Sequence, residues 1–111
     1  MANNIQIIVF PAKDLDKAKN FYNTFLGTEP YVDGPYYVGY KVGDQEVGLD
    51  PNSTVGPIIY TDVQDIKRSL QDMTEVGAEI VQEPKDVGAG LLIAQVKDAV
   101  GNVVGFRQQP N

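Results

Sequence analysis

Two absences narrow the chemistry this chain can do. It has no histidine and no cysteine, which removes the commonest general base and metal ligand at neutral pH and every thiolate nucleophile. Carboxylates, tyrosines and a few cations remain. In QEVGLD (45–50) the two-residue alternation of a strand puts Glu46, Gly48 and Asp50 on one face. In GNVVGFRQ (101–108) it puts Gly105 and Arg107 on one face. Glu46, Asp50 and the amide of Gln6 fall short of the six or more oxygens that a hard cation usually takes. The two acids therefore read as solvated strand-end carboxylates. Arg107 either meets an anionic group or ends its strand in water. Tyr36, Tyr37, Tyr40 and Tyr60 offer rings and hydroxyls suited to flat or cationic ligands, although tyrosine is also common in sheets for packing alone.

These residues must be positioned by short alternating elements. NIQIIVF (4–10) reads as a buried strand. The next stretch carries Asp14 as an N-cap, then Leu15, Ala18, Tyr22 and Phe25 at spacings of three and four, then Gly27 as terminator. That predicts a helix of about three turns. Three strand candidates follow, separated by turns at Asp33-Gly34-Pro35 and Gly43-Asp44. The order then repeats: GPIIYT is a strand, and DVQDIKRSLQDMTEVG a helix with Val63, Ile66, Leu70 and Val76 on one face. Asp62 is expected as its cap, with Asp65 at the capping-box position. AEIVQEP, GLLIAQVKD and GNVVGFRQQ give three more strands. The segment EPKDVGAGLL, with Pro84, Gly88 and Gly90, is either a flexible loop or a hairpin connection.

The expected fold class is therefore α+β, with two tandem βαβββ modules at about 1–51 and 55–109 in one domain of 111 residues. A net charge of −6 argues against nucleic acid as a partner. No apolar run approaches the ~20 residues of a membrane span, and the first residues lack a signal-peptide pattern. The expected setting is cytoplasmic.

Three motifs in the right order carry a family resemblance. Asp14, Ala18, Phe21-Tyr22 and Leu26-Gly27 resemble the first helix of the vicinal oxygen chelate superfamily, which includes glyoxalase I, bleomycin-resistance proteins and extradiol dioxygenases. DVQDIKRSLQDMTEVGAEIVQEP is similar to its second-module helix and following strand. Asp98, Gly101 and Asn102 are similar to its Asp-Pro-Asp-Gly-Asn turn, with Ala99-Val100 substituted. The resemblance implies curved mixed sheets around a cleft and, in most members, a homodimer.

In metal-dependent members, the first and last strands of each module supply His or Gln and Glu ligands. Carried over one at a time, those positions fall on Ile7, Ile58, Gly48 and Gly105, and none of these can coordinate a metal. The resemblance thus implies a cleft without metal, cofactor or catalytic residue. Its expected lining is Ile7, Val9, Tyr40, Gly48, Asp50, Ile58, Tyr60, Leu92, Gly105 and Arg107, with Ala94 beside them and the two glycines leaving room for a ligand. The reading that follows is a metal-independent protein binding a small molecule, as in the bleomycin-resistance branch. A metal-dependent lyase or dioxygenase and a non-catalytic assembly domain stand as alternatives.

Overall fold

The computed structural model describes residues 4–110. It has the α+β order expected, βαβββ twice. Residues 6–58 form one compact unit, and residues 59–110 with Asn4 and Ile5 form the other.

The N-terminal module comprises β1 (Ile5–Pro11), α1 (Leu15–Leu26), β2 (Val32–Asp33), β3 (Val38–Val42) and β4 (Gln45–Asp50). Its strands lie in the order β2-β3-β4-β1, with β1 parallel to β4 and the other pairs antiparallel. Asp14 caps α1 by accepting the Lys17 amide at 3.1 Å, and Gly27 ends it in a left-handed turn at φ 70°. Leu15, Ala18, Tyr22 and Leu26 pack on a core of Ala12, Val38, Tyr40 and Leu49. Phe25 departs from the apolar stripe read in the sequence. It and Phe21 are 72% and 61% exposed, because they leave α1 to one side of the row that meets the sheet.

The C-terminal module repeats the plan with β5 (Ile58–Asp62), α2 (Ile66–Glu75), β6 (Glu79–Asp86), β7 (Leu92–Lys97) and β8 (Val103–Gln108). Its order is β5-β8-β7-β6, with β5 parallel to β8. Ile66 and Leu70 seal a core with Ala94, Val96 and Phe106. The cap differs from expectation. Asp65, not Asp62, is the N-cap of α2 and accepts the Arg68 amide, while Asp62 remains in β5. Asp14 and Asp65 thus hold equivalent places at the two helix starts. Val76, expected on the apolar face, is exposed, since α2 has ended by then. Residues 87–91 form a hairpin connection closed by the Val87 amide on the Leu91 carbonyl at 2.9 Å.

Candidate functional site

In each module the helix covers one face of the sheet, and alternation assigns every strand residue to that face or the other. On the averted face of the C-terminal module the register sets Tyr60 beside Gly105 and Asp62 beside Arg107 on parallel strands, and Gly105 beside Gln95 across to β7. Ile58 and Tyr60 alternate with Ile59 and so share that face. The Tyr60 ring lies over Gly105. A Cβ added at Gly105 would collide with Tyr60 Cε2 and Cδ2 and come within 3.1 Å of the Ala94 carbonyl oxygen. The Gln95 amide donates to the Tyr60 hydroxyl at 2.8 Å and anchors the far end of the ring. The space expected above Gly105 is therefore filled by a neighbouring side chain. A bare strand position invites such cover, since a ring can settle on exposed backbone where no side chain stands.

Arg107 does not end in water. Its Nε donates to Asp62 Oδ1 at 2.7 Å and its Nη2 to Oδ2 at 3.3 Å. The two side chains are 11% and 31% exposed. This is a forked pair in which both donors are matched to one carboxylate.

The averted face of the N-terminal module carries Ile7 and Val9 on β1, beside Glu46 and Gly48 on β4. Gly39 on β3 is the antiparallel partner of Gly48, and Lys41 that of Glu46. Tyr37 lies over Gly48 as Tyr60 lies over Gly105. A Cβ there would collide with the Tyr37 hydroxyl and stand 2.7 Å from its Cζ. The Tyr31 hydroxyl donates to Glu46. Asp50 shares this face by alternation, but its Oδ1 accepts the Asn52 amide at 2.8 Å and closes the following turn.

Three residues expected on these faces lie on the opposite side of their sheets. Tyr40 is fully buried under α1, where its hydroxyl donates to Asn23 Oδ1 at 2.7 Å. Burial raises its phenol pKa, against the pull of the Lys19 charge. Leu92 pairs with Gln108 on β8 and packs against the α2 core, as does Ala94 opposite Phe106. The alternation that sets Ile93 and Gln95 beside Arg107 and Gly105 sends Leu92 and Ala94 to the helix side. Tyr31, Asp62 and Gln95 were missed as site residues by sequence reasoning, and Tyr37 was named there only among several candidate tyrosines. Nothing in the spacing of Tyr31 or Tyr37 marks a ring laid across a neighbouring strand. Asp62 and Gln95 follow once the strand register is known.

The turn ahead of β8 is closed as its residue types suggest. Asp98 Oδ1 accepts the amides of Val100 and Asn102, at 3.0 and 2.9 Å, and Oδ2 accepts the Asn102 side-chain amide. Gly101 supplies φ 98°. These bonds favour the carboxylate and lower the Asp98 pKa, the Asn102 backbone amide contributing most. A carboxyl whose pKa is lower in the folded chain than in the unfolded one adds stability above its unfolded value of about 3.9. That stability is lost as pH falls through the folded value. Asp98→Asn should therefore be less stable than the parent near pH 7, with the gap closing at acid pH. Urea unfolding of both proteins along a pH series measures this.

The sequence matches the model of the Glyoxalase/Bleomycin resistance protein/Dioxygenase superfamily over residues 4–106. The chain belongs to this superfamily. The solved structures agree with its fold. A hypothetical protein from Bacillus halodurans C-125 superposes with a TM-score of 0.79 at 19% identity, covering 100% of this chain and 97% of that one. A superfamily member from Vibrio splendidus 12B01 gives 0.71 at 18% identity, with 96% and 98% covered. Streptomyces coelicolor methylmalonyl-CoA epimerase gives 0.77 at 16% identity, with 98% and 96% covered. At these identities the likeness is one of fold. No curated protein sequence matches.

Within the superfamily fold, the positions to which the resemblance carries metal ligands do not suit a metal. Ile7 and Ile58 have no donor atom and are buried at 5% and 3% exposure. Gly48 and Gly105 have no side chain, and tyrosines occupy the space where one would project. No group of three or more Asp, Glu, His or Cys among the described residues is arranged to hold a metal ion. No helix among them is long and apolar enough to cross a membrane.

Proposed function

We propose that this superfamily member is a metal-independent binding protein that sequesters a small organic molecule. The observation that carries the reading is the pair of covered glycines. At each position where the resemblance would place a metal-binding carboxylate, a tyrosine ring takes its place. The polar groups near the two rings, Gln95 and the Asp62–Arg107 pair in one module and Glu46 in the other, are few and mostly matched to partners. Each such face orients a ligand by hydrogen bonds and ring contacts and offers no activated nucleophile. A homodimer and a cytoplasmic setting, both expectations from the sequence, belong to the same reading. The proposed binding residues are Ile7 and Val9 with Tyr37 and Glu46 on the N-terminal sheet and Ile58, Tyr60 and Arg107 with Gln95 on the averted face of the C-terminal strands, where Gly48 and Gly105 serve only as the floor beneath the rings.

The test is a thermal-shift screen of the purified protein against cationic drugs and aromatic metabolites, run beside elemental analysis. A binder should raise the melting temperature in a concentration-dependent way, since ligand bound only to the folded state stabilises it by mass action. Stoichiometric nickel, zinc, iron or manganese that survives dialysis would overturn the metal-independent reading.

A further inference from the structure

We infer that the aromatic flank of α1 pairs with the same flank of a second copy of this chain, the two helices lying antiparallel so that Lys17 of each copy meets the Phe25 ring of the other. The interface is on the helix side of the N-terminal sheet, opposite the face proposed to bind a ligand. It gives a location to the homodimer of that reading and does not depend on ligand binding.

Lys17, Phe21 and Phe25 stand four residues apart on α1 and form one row along its surface. The core takes Leu15, Ala18, Tyr22 and Leu26, and the row runs exposed beside that stripe. Its two rings are adjacent, with centroids 6.1 Å apart and planes 16° apart. They are also braced. Tyr22 meets Phe21 edge-on at 5.0 Å and Phe25 edge-on at 6.2 Å, and itself stacks on Phe10 of β1 at 5.2 Å. Single exposed apolar side chains are ordinary, whereas a contiguous exposed patch marks an association surface. Rings fixed in advance lose little rotamer freedom on association, so more of their burial shows as affinity.

The row supplies its own complement. A cation precedes two aromatic plates, and ring faces carry negative potential. When a second α1 is laid antiparallel with the two Phe21 rings at the two-fold axis, position 17 of each copy faces position 25 of the other. Each Lys17 ammonium then meets a Phe25 ring, and symmetry makes the contact twice. Antiparallel helices also bring opposite ends of their dipoles together. Packing one row of i, i+4 residues against another is the commonest way for helices to meet. A foreign partner needs a ring and a cation in this order and spacing, and a second copy has them by construction. The flank is smaller than the ~800 Å² per partner of a standard interface, and a net charge of −6 on each copy opposes the encounter. The dimer is therefore weak, with a dissociation constant of about 0.1 mM.

Sedimentation velocity of the full chain from about 0.01 to 1 mM should show a monomer that becomes a dimer across that range. Lys17→Glu sets an anion against the ring and should weaken the dimer about ten-fold. Phe25→Lys opposes two like charges at each contact and should leave a monomer. The double variant Lys17→Glu with Phe25→Lys opposes unlike charges at the same two contacts and should regain the dimer. Both positions are exposed, and the amide NMR spectrum of each variant reports that the fold persists. A parent chain that stays monomeric to 1 mM overturns the inference. So does a double variant that dimerises no better than Phe25→Lys. A dimer that Phe25→Lys leaves intact uses another face, which overturns the inference and leaves the homodimer expectation standing. A ligand found in the thermal-shift screen for a chain that stays monomeric removes the interface and leaves the binding reading. Bound metal removes that reading and leaves the interface.

Discussion

Gly105→Glu, which restores the carboxylate that metal-dependent relatives are expected to carry, should destabilise the protein by about 3 kcal/mol or more and create no metal site. The first atom of the new side chain would collide with the Tyr60 ring, which is only 7% exposed and is held at its hydroxyl by Gln95. The ring must leave its place or the strands must part. In a packed interior either adjustment costs about 1–3 kcal/mol, and the carboxylate then adds the cost of burying a charge. For a chain of this size that corresponds to a fall in melting temperature of about 10 °C or more. The collision can be isolated with Gly105→Ala, measured in the parent and in a Tyr60→Ala background. The glycine substitution should cost much less once the ring is gone, and the difference between the two costs is the coupling energy. Equal costs in both backgrounds would show that the ring is not what fills the position. Urea denaturation supplies all four stabilities.

Arg107→Met should cost about 2 kcal/mol, and most of that loss should vanish when Asp62 is replaced by Asn as well. The guanidinium is 11% exposed and its forked bonds to Asp62 run at 2.7 and 3.3 Å. Removing one partner of a fully buried pair costs about 3–5 kcal/mol, because the other charge is stranded. Asp62 keeps about a third of its side chain in water, so the penalty belongs below that range, near the ~1.5–3 kcal/mol of a hydrogen bond to a charged group. Methionine keeps much of the apolar stem, which limits the packing loss. Unfolding free energies of the parent, both single variants and the double variant give the coupling. A value near zero would mean that the pair is held loosely and that Arg107 can turn to a ligand. A value above about 1 kcal/mol would mark it as a fixed part of the face.

Much of the fold was legible in the sequence because its signals are local. Asp14 and Gly27 bracket α1 through bonds to residues three and four positions away, and the Asp98–Asn102 turn closes on itself. Apolar spacing found both helices, and the repeat of strand and helix order implied two modules. Errors arose where two positions satisfied the same local pattern. Asp62 and Asp65 both stand near a helix start, and only the backbone decides which is the cap. Phe25 keeps helical spacing with its neighbours but misses the sheet, since the width of the buried stripe depends on what the helix packs against, and Val76 falls where α2 has already ended.

The face of each strand was the harder question. A one-residue change of register exchanges the two sides of a sheet, and apolar character does not separate them here. Tyr40 and Leu92 read as suitable lining residues, yet both point to the helix side. The sequence by itself determined the βαβββ repeat, the cap and terminator of α1, the closing turn, the absence of histidine and cysteine, and the glycines at positions 48 and 105, because each follows from residue type and near neighbours. Only the tertiary structure decided what those glycines mean. Their cover comes from Tyr37, just ahead of β3, and from Tyr60 on the parallel neighbour of β8, and a ring's resting place is set by the space its neighbours leave. What reads in one dimension as room for a ligand is, in the folded modules, a position already filled.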